Sequence, residues 1–424
     1  MTQAIILFVL TYILILVFSD KKHWISLGSA LLFIILGILP IDDLIHSIDF
    51  NVLLMLIGMM GIVSLFIESK MPNLLADLIM EKVPNVQMAA VCLALFAGII
   101  SAFVDNVATV LMIAPVAIAV CKKLNTNPIP FIICIAVSSN LQGAATLVGD
   151  TTAIMLGSSL NMGFTDFFVY NGKLSMFFFV EIGAIVSSFV IALIFRKNKQ
   201  KVTKSEDRTV VTDYVPTICL LSVVVALIVA SFIENKPSIT NGAISCIIFL
   251  IGLAYDYAKM FRIEDAKEHL VNIDLKTIGF LVGLFIMIGG ISSAGVIDSL
   301  AEFLSDLGNG NMFLMYTIIV FASVLISAFI DNIPYVATMI PVIAGIATQT
   351  GWDATPLYFG LLSGATLGGN ITPIGASANI VGIGILRKEG YEVKTTDFLK
   401  IGIPLTISAI LPAYIFIWLL YGTK

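Results

Sequence analysis

Apolar runs about as long as a bilayer is thick recur from one end of this sequence to the other, and they decide what the chain can become. A helix needs roughly 20 predominantly apolar residues to cross hydrocarbon. Read by that rule, simple crossings fall at residues 3–19, 23–39, 49–67, 174–195, 215–233, 240–256, 274–293 and 398–421. Four other stretches, 87–121, 129–157, 314–348 and 355–385, are apolar but interrupted by polar residues, Gly or Pro. No soluble core absorbs so many such runs. Composition agrees, with 58% hydrophobic and 12% charged residues, where a soluble domain carries about a quarter charged residues. The net charge of −5 offers no basic face to nucleic acid. The chain reads as an all-α polytopic membrane protein in contact with lipid.

Other classes fall away on residue type. The five cysteines (Cys92, Cys121, Cys134, Cys219, Cys246) lie in or beside apolar segments with no CxxC spacing and read as small packing residues. His23, His46 and His269 sit at segment ends and form no cluster. With no Walker A pattern, no Ser-His-Asp set and no zinc motif, neither an enzyme nor a resident cofactor is expected. The first run, Ala4–Phe18, lacks a basic leader and a small-residue cleavage site, so it reads as a transmembrane helix rather than a signal peptide.

The interrupted stretches are duplicated. Ser101–Val116, SAFVDNVATVLMIAPV, precedes Ser327–Val342, SAFIDNIPYVATMIPV, by 226 residues with 8 of 16 positions identical. At the same offset Leu141, Gly143, Thr146, Gly149 and Ile154 match Leu367, Gly369, Thr372, Gly375 and Ile380. At 225, Asp49, Leu56 and Gly58 match Asp274, Leu281 and Gly283. One register held through separate motifs is an internal duplication. It divides the chain into residues 1–195, a polar linker 196–213 expected to be exposed and mobile, and residues 214–424.

Taking 87–121 and 314–348 as re-entrant hairpins, and 129–157 and 355–385 as broken crossings, gives about ten crossings and two hairpins. With the linker cytoplasmic and both termini outside, 20 of 23 Lys and Arg lie inside, leaving Lys173, Lys236 and Lys424 outside. Five crossings per repeat is an odd number, so the repeats are inverted. Inverted repeats with paired broken helices belong to secondary transporters.

Non-helical backbone survives at membrane depth only where protein or water covers it. Four converging breaks therefore imply a polar site, where helix N-termini offer N–H groups and C-termini offer carbonyls. Asp105–Asn106 and Asp331–Asn332 sit in the hairpins between apolar flanks. A carboxylate there costs on the order of 3 kcal/mol, so it should hold a proton or a cation. Such residues also cap helices, and the two roles coexist. The broken crossings read SSNLQGAATLVGDTTAI (Ser138–Ile154) and SGATLGGNITPIGASANI (Ser363–Ile380). Gly143, Gly149, Gly368, Gly369 and Gly375 permit unwound backbone. Asn140, Gln142, Thr146, Thr151, Asn370, Thr372, Ser377 and Asn379 supply oxygen and amide groups suited to a hard cation such as Na+. The same small residues also serve close helix packing. Asp150 is a third candidate carboxylate, beside the first site and unmatched in the second repeat, where Ala376 stands. Glu181, inside the crossing 174–195, is a further possible proton site. No Lys or Arg falls in any break.

The motifs AFVDNVATVLMIAPV, GAATLVGD, AFIDNIPYVATMIPV and GGNITPIGASANIVGIGI resemble those of the ion transporter superfamily, in its ArsB/NhaD branch with the P protein-like permeases. The resemblance covers essentially the whole chain. It implies a secondary carrier of ions or small anions, commonly dimeric, in which a transport domain moves like an elevator against a scaffold. Carried over by motif, Asp105–Asn106 and Asp331–Asn332 become hairpin tips. Gly143–Thr151 and Gly369–Asn379 line the facing breaks, and two ion sites follow from the repeat. Dicarboxylate carriers resemble a Ser-Asn-Thr triplet at each tip. Here the tips read Asp-Asn-Val and Asp-Asn-Ile, which points away from carboxylate substrates.

The expectation is an inner-membrane antiporter, Na+/H+ exchange leading, with Na+ or H+ as coupling ion and Na+ held at Asp105, Asn106, Asp331 and Asn332. A carrier of arsenite or another small anion is the alternative, and an ion channel is the alternative of different class. A small inorganic ion is the expected substrate, and a second copy of the chain the expected partner.

Overall fold

The computed structural model describes residues 1–123, 126–201, 209–211, 213–260 and 273–422. His269 lies outside them. Backbone hydrogen bonds cannot be left open in hydrocarbon, and the chain closes them almost wholly as helices. The first half holds α1 (Thr2–Val17), α2 (Lys22–Ile35), α3 (Leu44–Ser47), α4 (Phe50–Glu68) and α5 (Met71–Met80). It continues with α6 (Val86–Ser101), α7 (Asn106–Lys123), α8 (Ile129–Gly143), α9 (Thr151–Ser159) and α10 (Met176–Ile194). The second half holds α11 (Val215–Ser231), α12 (Thr240–Met260), α13 (Leu275–Ser293), α14 (Val296–Gly308) and α15 (Met312–Ser327). It ends with α16 (Asn332–Thr350), α17 (Thr355–Gly368), α18 (Ser377–Lys388) and α19 (Thr395–Ile417). Two-residue strands, β1 (Val169–Tyr170) and β2 (Lys173–Leu174), pair antiparallel before α10. Among the described residues α4, α7, α10, α12, α13, α16 and α19 are each long and apolar enough to cross a membrane.

Each interrupted stretch is a pair of helices joined by a short non-helical segment: α6–α7, α8–α9, α15–α16 and α17–α18. Side-chain caps fix where the helices start. Asp49 accepts from Val52 N at 3.0 Å to open α4, and Asp274 accepts from Lys276 N and Thr277 N at 3.1 Å to open α13. Asn85 and Asn311 cap α6 and α15 in the same manner. Helices α5 and α14 were not legible as crossings. Both are short, and their buried residues recur near every fourth position, Pro72, Ala76 and Met80 in one and Ile297 and Ala301 in the other. Helix α14 meets α15 at a bend of 118°.

Packing exchanges elements between the halves. Helix α12 lies along α4 and α2 along α13. Gly58 touches the backbone of Ser245 and Cys246, and Gly283 touches Ser26 and Leu27, so a Cβ at either would force the pair apart. The 226-residue offset recurs in contacts: Gly183 of α10 lies against Ala409 of α19, and Asn140 of α8 donates to Thr366 O of α17 at 2.7 Å. In both pairs a residue meets its own counterpart.

Every residue from Phe131 to Gly157 and from Thr355 to Asn370 is buried, so both broken helices form the centre of the molecule. The described parts of the linker are exposed or half-buried, as expected, and they also bond to the helices. Asn198 O and Gln200 O accept from Gln87 N and Val86 N at 3.0 Å, and Thr209 donates to Asp77 Oδ2 at 2.6 Å, which ties these parts to α6 and α5. Residues 202–208 and 212 are outside the described set.

Candidate functional site

Asp105 closes the α6–α7 turn and starts α7 by accepting from Val107 N at 3.0 Å and Ala108 N at 3.2 Å. Asp331 does the same for α16, accepting from Ile333 N at 3.3 Å. Asp150 opens α9, accepting from Thr151 N at 2.8 Å and Thr152 Oγ1 at 2.7 Å. Its counterpart Ala376 leaves α18 with no side-chain cap. Three carboxylates thus stand at three helix N-termini, where the helix dipole and free N–H groups favour negative charge. Each keeps oxygen lone pairs for a further partner.

These termini face one cavity of about 840 Å³ with two unlike walls. One wall comes from the breaks and hairpins: Asp105, Asn106, Asp150, Thr151, Asn332 and Ser377. The other comes from α2, α4 and the start of α13: Lys22, Ser64, Glu68, Asp274 and Thr277. Six residues expected from sequence therefore share one space. Asp331 joins through its partner, because Lys22 Nζ lies 2.8 Å from Asp331 Oδ2. Lys22, Glu68, Asp274, Thr277 and Thr152 were not foreseen as site residues. Lys22 and Asp274 sit at the starts of apolar helices, where a charge reads as an ordinary end; only the match of Asp274 to Asp49 singled it out.

Behind the cavity, buried amides join the halves. Asn106 Nδ2 donates to Asn140 Oδ1 at 2.8 Å, and Asn140 Nδ2 donates to Asn370 Oδ1 at 3.0 Å as well as to Thr366 O. Asn370 Nδ2 in turn reaches Val137 O at 3.2 Å. Asp150 lies beside the first site, as expected, where a Cβ on its neighbour Gly149 would come 2.7 Å from Ser101 O and 2.9 Å from Ala102 O, and it also accepts from the second hairpin, from Asn332 Nδ2 at 3.2 Å. Ser139 ties α8 to the first hairpin through Ser101 Oγ and Asn106 O, both at 3.0 Å.

The remaining expected residues hold the breaks together. Thr146 and Thr372 donate to Ala102 O and Ala328 O, fastening each break to its hairpin tip. Gly143 and Gly149 make the first break so close that a Cβ on Gly149 would come 2.5 Å from Gly143 O and 2.7 Å from Ser101 O. Gly369 and Gly375 repeat the contact. Asn379 Nδ2 donates to Gly369 O at 2.9 Å and Thr372 O at 3.0 Å. Glu181 lies half-buried on α10, away from the cavity lining. Among the described residues no three of His, Cys, Asp and Glu converge on one metal position.

Comparison with known proteins agrees with this architecture. A 46 kDa membrane protein of Mycobacterium leprae is 32% identical over 99% of this chain and 98% of its own. An uncharacterized transporter of Mycobacterium tuberculosis is 31% identical with the same coverage. The human P protein is 26% identical over 90% of this chain and 55% of its own length. In fold, the Alcanivorax borkumensis YdaH transporter superposes with a TM-score of 0.62 at 13% identity, covering 90% of this chain and 88% of that one. The profile of a family described as citrate transporters (CitMHS) matches residues 12–364, and the chain belongs to that family, as a multi-pass secondary transporter of the ion transporter superfamily.

Proposed function

We propose that this transporter exchanges protons for a small cation, Na+ first, through alternating access of the cavity. The carrying observation is the charge of the cavity: among the described residues Asp105, Asp150, Asp274 and Glu68 line it against a single lysine, and that lysine is held by Asp331. Carboxylates out of bulk water are stable when protonated or cation-bound. A site that alternates between those two states couples the ions, because each displaces the other. The proposed coupling groups are Asp105 and Asp150, with Asp331 as the third.

The two-walled cavity also supports an elevator reading. Helices α6–α9 and α15–α18 would move as the transport domain against α2, α4, α12 and α13 as scaffold. Contacts at the 226-residue offset support two inverted repeats, 1–195 and 214–424, and the distribution of Lys and Arg supports a cytoplasmic linker with both termini outside. A homodimer in the inner membrane and placement in the ArsB/NhaD branch belong to the same proposal.

A small-anion carrier is the second reading, favoured by the family description and by the helix N-termini at the cavity. A citrate-like anion would there meet an excess of carboxylates, which is why cation exchange is preferred. The test is reconstitution in proteoliposomes with an internal pH dye under gradients of Na+, Li+, K+ or choline, or with arsenite or citrate added. A Na+- or Li+-specific pH change that Asp105→Asn removes supports exchange. Anion-dependent flux with no cation response overturns it.

A further inference from the structure

Lys22 is the one basic residue lining the cavity among the described residues, and it reaches Asp331 from the opposite wall. Both side chains keep roughly a quarter of their surface exposed, 25% and 22%, so the pair stands at the cavity rather than sealed in the core. Asp331 is also the N-cap of α16, at the tip of the second hairpin. Asp105, its counterpart at the first tip, has only backbone N–H partners among the described residues. One of two matched carboxylates thus has a cation supplied by the protein, and the other does not.

The scaffold is unequal in the same way. Ser26 of α2 meets Gly283 as Ser245 of α12 meets Gly58, which aligns the two helices at an offset of 219. That alignment puts Asn241 where α2 has Lys22. Asn241 is buried, and its Oδ1 has no hydrogen-bond partner among the described residues. If the hairpins move from the α2–α13 end to the α4–α12 end, Asp331 leaves Lys22 and meets no lysine in its place.

We propose that Lys22 is a resident counter-ion that competes with the transported cation for Asp331, and so sets the affinity for that cation in the state described here. The charges facing the pair are Asp274 at the start of α13, Asp105 at the first hairpin, Asp150 at the start of α9 and Glu68 at the end of α4. All are acidic, so a freed ammonium group stays within a negative cavity when a cation takes its place. This proposal rests on the cation-exchange reading and adds a specificity residue to it.

The test compares wild type, Lys22→Gln and Lys22→Arg in proteoliposomes, reading the Na+ concentration for half-maximal exchange. Partly exposed ion pairs are modest, so Lys22→Gln is expected to lower that concentration about three- to tenfold, with Lys22→Arg at or above the wild-type value. An unchanged or raised half-saturation in Lys22→Gln, or an equal fall in Lys22→Arg, overturns the proposal while exchange by the wild type stands. A wild type without cation-coupled flux overturns both readings. Should Lys22→Gln not insert, the wild-type protein answers alone: amine-reactive labelling of Lys22, read by peptide mass spectrometry, should rise as Na+ is added and stay flat with choline. Labelling indifferent to Na+ contradicts the competition.

Discussion

Asn332 donates from Nδ2 to Asp150 Oδ2 at 3.2 Å, joining the second hairpin to the first broken helix across 182 residues of sequence. Both are buried, and Asp150 is at the same time the cap of α9. The residue matched to Asp150 by the duplication is Ala376, so this contact has no twin. Duplicated sequence motifs therefore build an asymmetric centre.

Asp150→Asn keeps the shape and the capping oxygen but removes the charge. Exchange is expected to fall by at least about tenfold while expression and detergent stability stay near wild type, since capping by Asn and Asp is comparable. Asp150→Ala should additionally lose about 1 kcal/mol of stability from the missing cap. Melting temperatures and proton flux of both variants check this.

Asn140 bridges Asn106, Thr366 and Asn370, so its loss leaves buried amide groups on both sides unpaired. Asn140→Ala is expected to destabilise the protein by about 2 kcal/mol or more. In a double-mutant cycle with Asn370→Ala the effects should be non-additive, because the residues share one hydrogen bond. Thermal unfolding in detergent measures both.

Gly149 and Gly375 each lie against hairpin backbone, with a Cβ expected 2.7 Å from Ser101 O in one and 2.9 Å from Ser327 O in the other. Backbone cannot swing aside as a side chain does. Gly149→Ala and Gly375→Ala should each cost about 1–3 kcal/mol and lower transport by displacing a tip. Gly28, with nothing within 4 Å of a new Cβ, is the control, and Gly28→Ala should leave transport unchanged.

Much of this was legible in the sequence, for reasons that also explain the rest. Long apolar runs and the doubled Asp-Asn motifs mark the breaks, because polar residues and glycines at membrane depth have few other uses. Asp105, Asn106, Asp150, Thr151, Asn332 and Ser377 were named that way and line one cavity. Lys22 was not, since its partner Asp331 lies 309 residues away and no local pattern records such a pairing. Thr146 and Thr372 read as ion ligands in the sequence, and the structure adds that their hydroxyls donate to the hairpin tips. A threonine in a polar break looks the same in sequence whether it faces an ion or a carbonyl. The contact of Asp150 with Asn332 of the second hairpin is not legible in the same way, because the duplication matches residues between the repeats and records no contact between them.

Proton release on cation binding tests most directly whether the cavity carboxylates hold either a proton or a cation. Na+ is titrated into weakly buffered, detergent-solubilised protein with a pH dye, and released protons are counted per chain. Wild type is expected to release about one proton or more as Na+ saturates, with release reduced in Asp105→Asn or Asp150→Asn and absent when both are changed. Saturable Na+ binding with no proton release, or release undiminished in the double variant, would contradict it.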